Sequence, residues 1–366
     1  MWFTPATIEV TDGAILEVDL GAIVHNWRSL GALHPTGPVA AVLKADAYGL
    51  GAAAVGPALH AAGCRHFFVA HLDEALVLRP LVPGAMVAAL NGLWPGDAPA
   101  YRAAGITPVL GSLAEIAEWS GGATPALPAM LHVDTGMNRL GLSPAELDVL
   151  AAEPDRLRGV TVAFVMTHLV SAECPADAVN EAQRARFAAA CARLPPAPRS
   201  LANSSGNFLG PSFGSDLARP GAALFGVDPA PSRPHGLRGV VTLRARILAV
   251  RSVPAGATVG YNGAWTAARP SRIATVSVGY ADGYPRSLGN RAAACFDGQP
   301  VPLVGRVSMD LTTFDVTDAP GAVPGTWLEL IGPAMPVDEV AARAGTNGYE
   351  ILTQLGRRYR RVYTPS

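Results

Sequence analysis

The chain has 366 residues, of which 49% are hydrophobic and 16% charged, so it can bury a large core spread over more than one domain. Its net charge of -1, without blocks of Lys and Arg, argues against a nucleic-acid-binding surface. No stretch is apolar enough for a membrane helix, residues 1–20 lack signal-peptide features, and four scattered cysteines favour reduced thiols over disulfides or a metal site. We therefore expect a soluble cytoplasmic protein.

Up to about residue 230, short apolar runs alternate with Ala-rich amphipathic stretches. Strands of this type are buried on both faces, and the helices between them cover a parallel sheet. Eight or so such units in about 230 residues fit a (β/α)8 TIM-type barrel better than an open sheet. The candidate strands are ILEVD, PVAAVL, HFFVA, AMVAAL, ITPVL, PAMLHV, VTVAFVMTH and RSLAN, followed by an apolar turn at GAALFG.

The pattern changes at PAPSRPHGLRG, residues 229–239, which is typical of a linker. Beyond it, short strands follow one another between Gly, Pro and Asp residues, with one helix predicted near VDEVAARAG. We predict a barrel domain over residues 1–236 and a mostly β domain over residues 237–366. The first dozen or so residues are expected to pack with the β domain.

Lys44 is the first candidate for chemistry, because it ends an apolar run in AVLKADAYGLG and an ammonium is costly to bury. One interpretation is a strand end that reaches solvent. The other is a lysine after the carboxyl end of a barrel strand, where barrels keep their active sites and where a free amine can form a Schiff base. Tyr48 can aim its hydroxyl at the same cavity, and Gly49 and Gly51 let the backbone approach a ligand.

Two segments late in the barrel are candidate anion-binding sites. In ANSSGNF, Asn203 and Ser204 are predicted to cap a helix, and the N–H groups at a helix start also bind phosphate. In ARPGAALFG, the amides of Gly221 and Ala222 follow Arg219. Two such sites in adjoining late units match the phosphate site that barrels often build after their seventh and eighth strands, which favours a functional interpretation over simple capping.

Further candidates stand at other strand ends. His168 closes VTVAFVMTH and is either a core residue or a catalytic one. Arg139, in HVDTGMNRLG, makes either a surface salt bridge or a bidentate clamp for a carboxylate. In the β domain, Tyr280 of VSVGYADGY is either a packing residue or an acid/base, and Met309 and Asp310 end another strand in VGRVSMD.

Taken together, these segments resemble the alanine racemase family of fold-type III pyridoxal phosphate (PLP) enzymes. The motifs AVLKADAYGLG, HVDTGMNRLG, THL, NSS, RPGAALFG, VGYADGY and GRVSMD occur in the family's order and spacing, from LEVDLGAIVHN to YEILTQLGRRYRRVY. The resemblance implies an N-terminal barrel, a C-terminal β domain and a head-to-tail homodimer. It also implies active sites shared between subunits and a role in supplying D-alanine for peptidoglycan.

By this resemblance, Lys44 holds PLP as an imine and Arg219 hydrogen-bonds the pyridine nitrogen, with His168 behind it. The residues expected to bind the rest of the cofactor, chiefly its phosphate, are Tyr48, Asn203, Ser204, Gly221 and Ala222.

Racemisation removes the Cα proton on one face and returns one on the other, so it needs two bases. The resemblance implies Lys44 as one base and Tyr280, from the partner subunit, as the other, while Arg139 and the Met309 amide hold the substrate carboxylate. We expect His168 and Arg219 to supply the positive charge that lowers the pKa of the tyrosine. Because Arg219 does not give up its proton, the pyridine ring stays a weak electron sink, which suppresses transamination and decarboxylation.

A few positions depart from the family pattern. Asp46 and Leu50 stand where asparagine and histidine are frequent. His132 replaces a lysine that is carbamylated in many members and braces the carboxylate-binding arginine, so either His132 itself or a bound anion takes that role. Near the C-terminus a phosphate-contacting tyrosine of some members aligns with Arg357, and either Arg357 or Tyr359 replaces it.

Three alternatives remain at the level of sequence. The first is a racemase of broader or different specificity, acting on serine or basic amino acids. The second is a non-catalytic PLP-binding protein, although such proteins usually lack the β domain that carries Tyr280. The third is a decarboxylase of the same fold, which would prefer an acidic residue where this chain has Arg219.

Overall fold

The computed structural model describes residues 12–121, 127–231 and 234–365. These residues form two compact units, one over Leu20–Arg238 and one that combines Gly239–Pro365 with the described residues before Leu20. The predicted packing of the first dozen residues falls, apart from Asp12, outside the described residues, as do residues 232 and 233 of the predicted linker. Within the described ranges, none of the helices has the length and apolar character needed to cross a membrane.

A seven-stranded parallel sheet in chain order forms the first unit. Residues 217–220 close the sheet into a barrel as its eighth segment. The Ala40 amide donates to the Ala218 carbonyl at 2.9 Å on one side, and the Leu217 amide donates to the Arg199 carbonyl at 3.2 Å on the other. The predicted (β/α)8 barrel is therefore confirmed. The strands are Ala41–Val42, His66–Val69, Met86–Ala89, Thr107–Leu110, Leu127–His132, Val160–Met166 and Arg199–Ser200.

Helices between the strands cover the outside of this sheet. The predicted caps are confirmed at Ser112, whose hydroxyl accepts the Glu115 amide at 3.2 Å, and at Ser143, which forms a capping box with Glu146. The helices are Leu20–Leu33, Ala52–Ala61, Leu72–Leu78, Ala98–Ala104, Leu113–Ser120, Pro144–Ala152 and Ala178–Cys191, with a single turn at Lys44–Tyr48. Short 3-10 turns are Arg79–Leu81, Pro154–Leu157, Ser205–Phe208, Pro211–Phe213 and Ala222–Phe225.

Side chains fill the barrel interior, so the unit has a packed core and chemistry is confined to its rim. Almost every segment of the barrel wall contributes an inward-facing residue. Burying one of the larger apolar side chains stabilises the fold by about 1.5–3 kcal/mol. The buried set is Ala40, Val42, Phe68, Ala88, Val109, Met130, Met166 and Leu217.

The second unit is a mixed sheet built around the long strand Val241–Val253, which pairs antiparallel with three others. The strands of this unit are Ala14–Asp19, Val241–Val253, Thr258–Val259, Trp265–Thr266, Ser271–Val276, Ala293–Phe296, Gln299–Pro302, Thr312–Asp315, Trp327–Ile331 and Arg360–Thr364. Its helices are Val337–Ala344, as predicted, and Gly348–Gln354, which the sequence analysis missed. Its 3-10 turns are Tyr261–Gly263, Tyr280–Asp282 and Arg286–Leu288.

One strand assignment was wrong. The segment ILEVD, predicted as the first barrel strand, belongs to Ala14–Asp19 in the β unit, where it pairs antiparallel with Val241–Val253 and parallel with Arg360–Thr364. Its burial alternates along the strand, which fits a sheet packed on one face and not a barrel strand buried on both. The eighth segment of the barrel wall is instead formed by residues 217–220.

Candidate active site

Lys44 and Tyr48 lie at the two ends of an unusual turn that follows the first barrel strand. Residues 45–48 all have φ between 53° and 55°, so this is one turn of left-handed helix built from non-glycine residues. The Ala47 amide donates to the Leu43 carbonyl and the Gly49 amide to the Ala45 carbonyl, at 2.8 and 2.7 Å. A left-handed conformation costs about 1–2 kcal/mol per residue, and strain of this kind concentrates at functional sites.

The surroundings of Lys44 favour its free amine. The side chain is exposed to solvent in the single chain, yet the atoms around the barrel mouth desolvate it. This desolvation lowers the pKa of Lys44, the positive charge of Arg139 lowers it further, and the carboxylate of Glu74 raises it. Because the net shift is downward, Lys44 has a larger unprotonated fraction at neutral pH than an ordinary lysine, as a Schiff-base lysine requires.

The predicted phosphate-binding residues converge beside this turn. The Ser204 hydroxyl accepts hydrogen bonds from the amides of Gly221 and Ala223, at 3.0 and 3.2 Å. A Cβ on Gly221 would lie 2.2 Å from the Tyr48 hydroxyl oxygen, so glycine is needed for this close approach. Ala222 opens the 3-10 turn Ala222–Phe225 between these groups. The cradle, defined here as Tyr48, Ser204, Gly221 and Ala222, thus gathers hydroxyl and backbone N–H groups at one place.

Of the two predicted caps, Asn203 is confirmed and Ser204 is not. Asn203 does cap the following turn, since its side-chain oxygen accepts the Gly206 amide at 2.9 Å, and its side-chain nitrogen donates to the Leu169 carbonyl at 3.4 Å. Ser204 makes no side-chain cap, because its hydroxyl is turned toward Gly221. The turn itself, Ser205–Phe208, is 3-10 and not α-helical.

Arg219 lies inside the barrel rim with 4% of its surface exposed. One terminal nitrogen donates to the Ser200 hydroxyl and the other to the Thr167 carbonyl, both at 2.5 Å. Burial lowers its pKa to about 10, which is still well above neutrality, so the guanidinium stays charged. The side chain is held rigidly enough to present that charge in a fixed direction.

The two histidines near Arg219 are neutral. Burial, followed by the charge of Arg219, lowers the pKa of His168 to about 3 and that of His132 to about 4. His132 is fully inside the barrel, whereas His168 is only partly covered in the single chain, yet both shifts have the same direction. The expectation that His168 supplies positive charge is therefore wrong, and Arg219 is the charged member of this group.

Arg139 is exposed on the loop after the strand Leu127–His132. The loop is shaped by Asp134, whose carboxylate accepts the amides of Gly136 and Met137 at 2.9 Å each. The positive charge of Arg139 lowers the pKa of both Lys44 and His168. The Arg139 guanidinium therefore lies at the same barrel mouth as the lysine.

Gln183 is a contributor that sequence reasoning missed. This fully buried side chain on the helix Ala178–Cys191 donates to the Thr135 hydroxyl and to the His168 carbonyl at 3.0 Å each, and accepts the Val170 amide at 2.8 Å. It thereby ties the Arg139 loop to the loop that follows His168. A polar residue on the buried face of an amphipathic helix was the available signal, because buried amides need several hydrogen bonds.

In the β unit, Tyr280 and Met309 are neighbours. The Tyr280 amide donates to the Ser308 carbonyl and the Ala281 amide to the Met309 carbonyl, both at 3.0 Å. Gly279 permits this contact, since a Cβ there would lie 2.3 Å from the Ser308 carbonyl oxygen. Tyr280 is 42% exposed and Met309 54% exposed, so both side chains reach the surface of this unit.

The turn that carries Tyr280 is fixed by an ion-pair network. Buried Asp282 accepts the Gly279 amide at 2.9 Å and the Arg358 guanidinium at 2.6 Å. Arg358 also donates to Asp310 at 2.7 Å, and its hydrogen bonds to the two carboxylates raise its pKa. The tyrosine therefore projects from a turn anchored on its carboxyl-terminal side.

The two candidates near the C-terminus differ in exposure. Arg357 is exposed, while Tyr359 is 5% exposed and burial raises the pKa of its hydroxyl. Only a side chain at the surface can meet a ligand from outside the unit. This difference favours Arg357 over Tyr359 as the residue that replaces the tyrosine of other family members.

The chain matches two family models, described as Alanine racemase, N-terminal domain over residues 18–229 and Alanine racemase, C-terminal domain over residues 240–363. It is 59% identical over 349 residues to the alanine racemase of Acidiphilium cryptum (strain JF-5), which covers 95% of this chain and 98% of that protein. The crystal structure of alanine racemase from Bartonella henselae with covalently bound pyridoxal phosphate is similar with a TM-score of 0.93 and 42% identity, over 97% of this chain and 100% of that one. For the biosynthetic alanine racemase of Pseudomonas aeruginosa the TM-score is 0.90 at 35% identity, over 97% and 100% of the two chains.

Proposed function

Because this chain belongs to the alanine racemase family, whose members are PLP-dependent isomerases, we propose that it interconverts L-alanine and D-alanine by a two-base mechanism. The observation that carries the proposal is the barrel mouth itself. There a lysine of lowered pKa, a cradle of hydroxyl and amide groups and a buried guanidinium lie at the carboxyl ends of the barrel strands.

The residues present fit PLP. The cradle brings together hydroxyl and backbone N–H groups of the kind that bind a phosphate, with the Gly221 amide donating to the Ser204 hydroxyl in this structure. The missing side chain of Gly221 leaves room for the Tyr48 hydroxyl to come close. Lys44 supplies the amine for the covalent link, and Arg219 a fixed charge for the pyridine nitrogen. When bound, PLP supplies the electron sink that stabilises the negative charge left at the substrate Cα.

Each barrel residue has a separate task. Besides holding the cofactor, Lys44 would move the Cα proton on one face of the substrate. Arg219 keeps its own proton, because even its lowered pKa of about 10 is well above neutrality. It would therefore give no proton to a pyridine nitrogen held beside it, which would disfavour reactions that need a strong electron sink. Arg139 offers a guanidinium to the substrate carboxylate from its exposed loop.

The second base is Tyr280, supplied by a second copy of the chain in a homodimer. Support comes from the exposure of Tyr280 beside Met309, whose amide we assign to the substrate carboxylate. The anchored turn fixes the backbone from which the Tyr280 phenol projects, which suits proton transfer to a single face. We further propose a cytoplasmic enzyme, without nucleic-acid partners, that supplies D-alanine for peptidoglycan.

A solvent-isotope experiment tests this function. The protein is incubated with PLP and L-alanine in D2O, and the product is separated by chirality and weighed by mass spectrometry. Deuterated D-alanine is expected, because the Cα proton is lost and replaced from solvent. Unlabelled, unchanged alanine would contradict the assignment. Serine, lysine and arginine, tested in parallel, distinguish a racemase of other specificity from a PLP-binding protein without turnover.

A further inference from the structure

Glu74 bonds to two neighbouring loops at the barrel mouth. It is the third residue of the helix Leu72–Leu78, and one carboxylate oxygen accepts the amides of Ala70 and His71 just before that helix, at 2.7 and 3.3 Å. The other oxygen accepts the amides of Ala45 and Asp46, at 2.6 and 3.4 Å. Glu74 therefore ties the left-handed turn after the first strand to the loop after the second.

The same device recurs around the barrel, but with other loops. Glu115 accepts the amide of Gly111 in its own loop and that of Leu93 in the preceding loop. Glu146 accepts the amide of Ser143, just before its own helix, at 3.0 Å, and that of Leu113, the first residue of the preceding helix, at 3.2 Å. All three glutamates are the third residue of the helix that follows a barrel strand. Glu74 differs because the preceding loop that it holds begins with Lys44.

We propose that Glu74 is a positioning residue that holds the left-handed turn of residues 45–48 in place and so aims Lys44 and Tyr48 at the cofactor. The turn needs such support, because alanines at 45 and 47 have no local reason to adopt positive φ. The first two amides of the turn end on the Glu74 carboxylate, and the aspartate of the turn, Asp46, accepts the Ala52 amide at 2.7 Å at its far end. The consequence for catalysis rests on the proposed function, whereas the clamp on the turn does not.

The charge of Glu74 also reaches Lys44 itself. The charged and titratable groups that act on Lys44 are Glu74, which raises its pKa, and Arg139, which lowers it, while His168 is neutral there. Glu74 is thus the anionic neighbour that opposes a further downward shift. A glutamine at this position would keep the shape of the side chain but lose the charge and one acceptor oxygen.

The first measurement is hydrogen exchange on the full-length holoenzyme, read by mass spectrometry on the peptide that covers residues 43–52. Glu74→Gln is expected to exchange the amides of Ala45 and Asp46 about tenfold faster than the unaltered protein. The matched control is Glu115→Gln, which breaks the equivalent clamp between two loops that carry none of the predicted site residues. It should speed exchange near Leu93 and Gly111 and leave residues 43–52 unchanged.

The second measurement is cofactor attachment. Borohydride reduction followed by peptide mapping gives the fraction of Lys44 linked to PLP, and absorbance titration gives the dissociation constant. For Glu74→Gln we expect about tenfold weaker PLP binding and a kcat that falls more than the KM for alanine rises. Glu115→Gln should match the unaltered protein in both, even where its thermal midpoint drops. If Glu74→Gln does not fold, Glu74→Asp replaces it, since its shorter side chain cannot reach both loops.

Unchanged exchange at residues 43–52 in the Glu74 variant would overturn the proposal, as would equal losses of PLP binding in the Glu74 and Glu115 variants. If the unaltered protein formed no link between Lys44 and PLP, the proposed function would fail instead. The exchange measurement would then still decide whether Glu74 holds the turn.

Discussion

The close approach of Tyr48 to Gly221 makes Gly221→Ala a sharp test of the phosphate cradle. A Cβ at residue 221 would lie 2.2 Å from the Tyr48 hydroxyl oxygen and 2.9 Å from the ring carbon that bears it. The hydroxyl must retreat by about 1.2 Å to reach ordinary contact distance, which is enough to break a hydrogen bond to a phosphate held in the cradle. The φ of -126° at Gly221 is negative, so alanine there does not meet the strain of a left-handed conformation.

Losing one hydrogen bond to a charged group costs about 1.5–3 kcal/mol, so Gly221→Ala should weaken PLP binding about 10- to 150-fold. Absorbance titration of the cofactor-free protein measures this. Gly31→Ala is the control, because nothing lies within 4 Å of a Cβ on this helical glycine. It should raise the free energy of unfolding by about 0.5–1 kcal/mol and leave PLP affinity unchanged.

A double-mutant cycle makes the test specific to Tyr48. Tyr48→Phe alone removes the hydroxyl, so it should weaken PLP binding by a similar factor. If both substitutions act through that hydroxyl, Gly221→Ala combined with Tyr48→Phe should be little worse than either one. Fully additive losses, or unchanged affinity in Gly221→Ala, would refute the assignment of Tyr48 to the phosphate.

Three further predictions concern the bases, the histidines and the loop support. A Lys44→Ala protein and a Tyr280→Phe protein should each be inactive. Dissociating and reassociating them together should restore about a quarter of full activity, because about half of the dimers are then mixed and each mixed dimer has one intact site of two. No recovery in the mixture would contradict shared sites. The pKa values of His132 and His168 are lowered to about 4 and 3, so below pH 6.5 the unfolded chain binds more protons than the folded one. The free energy of unfolding should therefore fall by up to about 1.4 kcal/mol per pH unit for each histidine as the pH drops toward those values. Urea titrations at several pH values check this, and a flat profile would contradict it. Gln183→Leu leaves buried partners without hydrogen bonds, so it should lower the free energy of unfolding by about 1–3 kcal/mol and raise the KM for alanine. An unaltered KM in steady-state kinetics would show that the Arg139 loop does not depend on Gln183.

The barrel was predictable because its strands are short, continuously apolar runs separated by capped helices. What composition cannot assign is the sheet to which a strand belongs. Ala14–Asp19 looks like any other strand locally, but its partners, Val241–Val253 and Arg360–Thr364, lie at the other end of the chain. The sequence analysis did not identify residues 217–220 as the eighth segment of the barrel, because this segment does not look like a strand. It pairs through only a few backbone hydrogen bonds and includes a charged residue.

The sequence could nominate candidate site residues, whereas their geometry required the folded structure. Ser204 is a typical cap by sequence, and only the folded chain shows its hydroxyl on the amides of Gly221 and Ala223. The left-handed turn is invisible to propensity, because alanine strongly prefers right-handed conformations. Its first amides bond to Glu74, a contact across two loops that no local pattern contains.

The neutral state of His132 bears on how Arg139 is held without a carbamylated lysine. A neutral imidazole offers no negative charge to a guanidinium, so His132 does not reproduce the charge of a carbamate. The loop that carries Arg139 is instead ordered through its backbone, by Asp134 on its own amides and by Gln183 through the Thr135 hydroxyl. Backbone supports of this kind order the loop that carries the arginine without engaging its guanidinium, which suits the role in binding the substrate carboxylate that we propose for it.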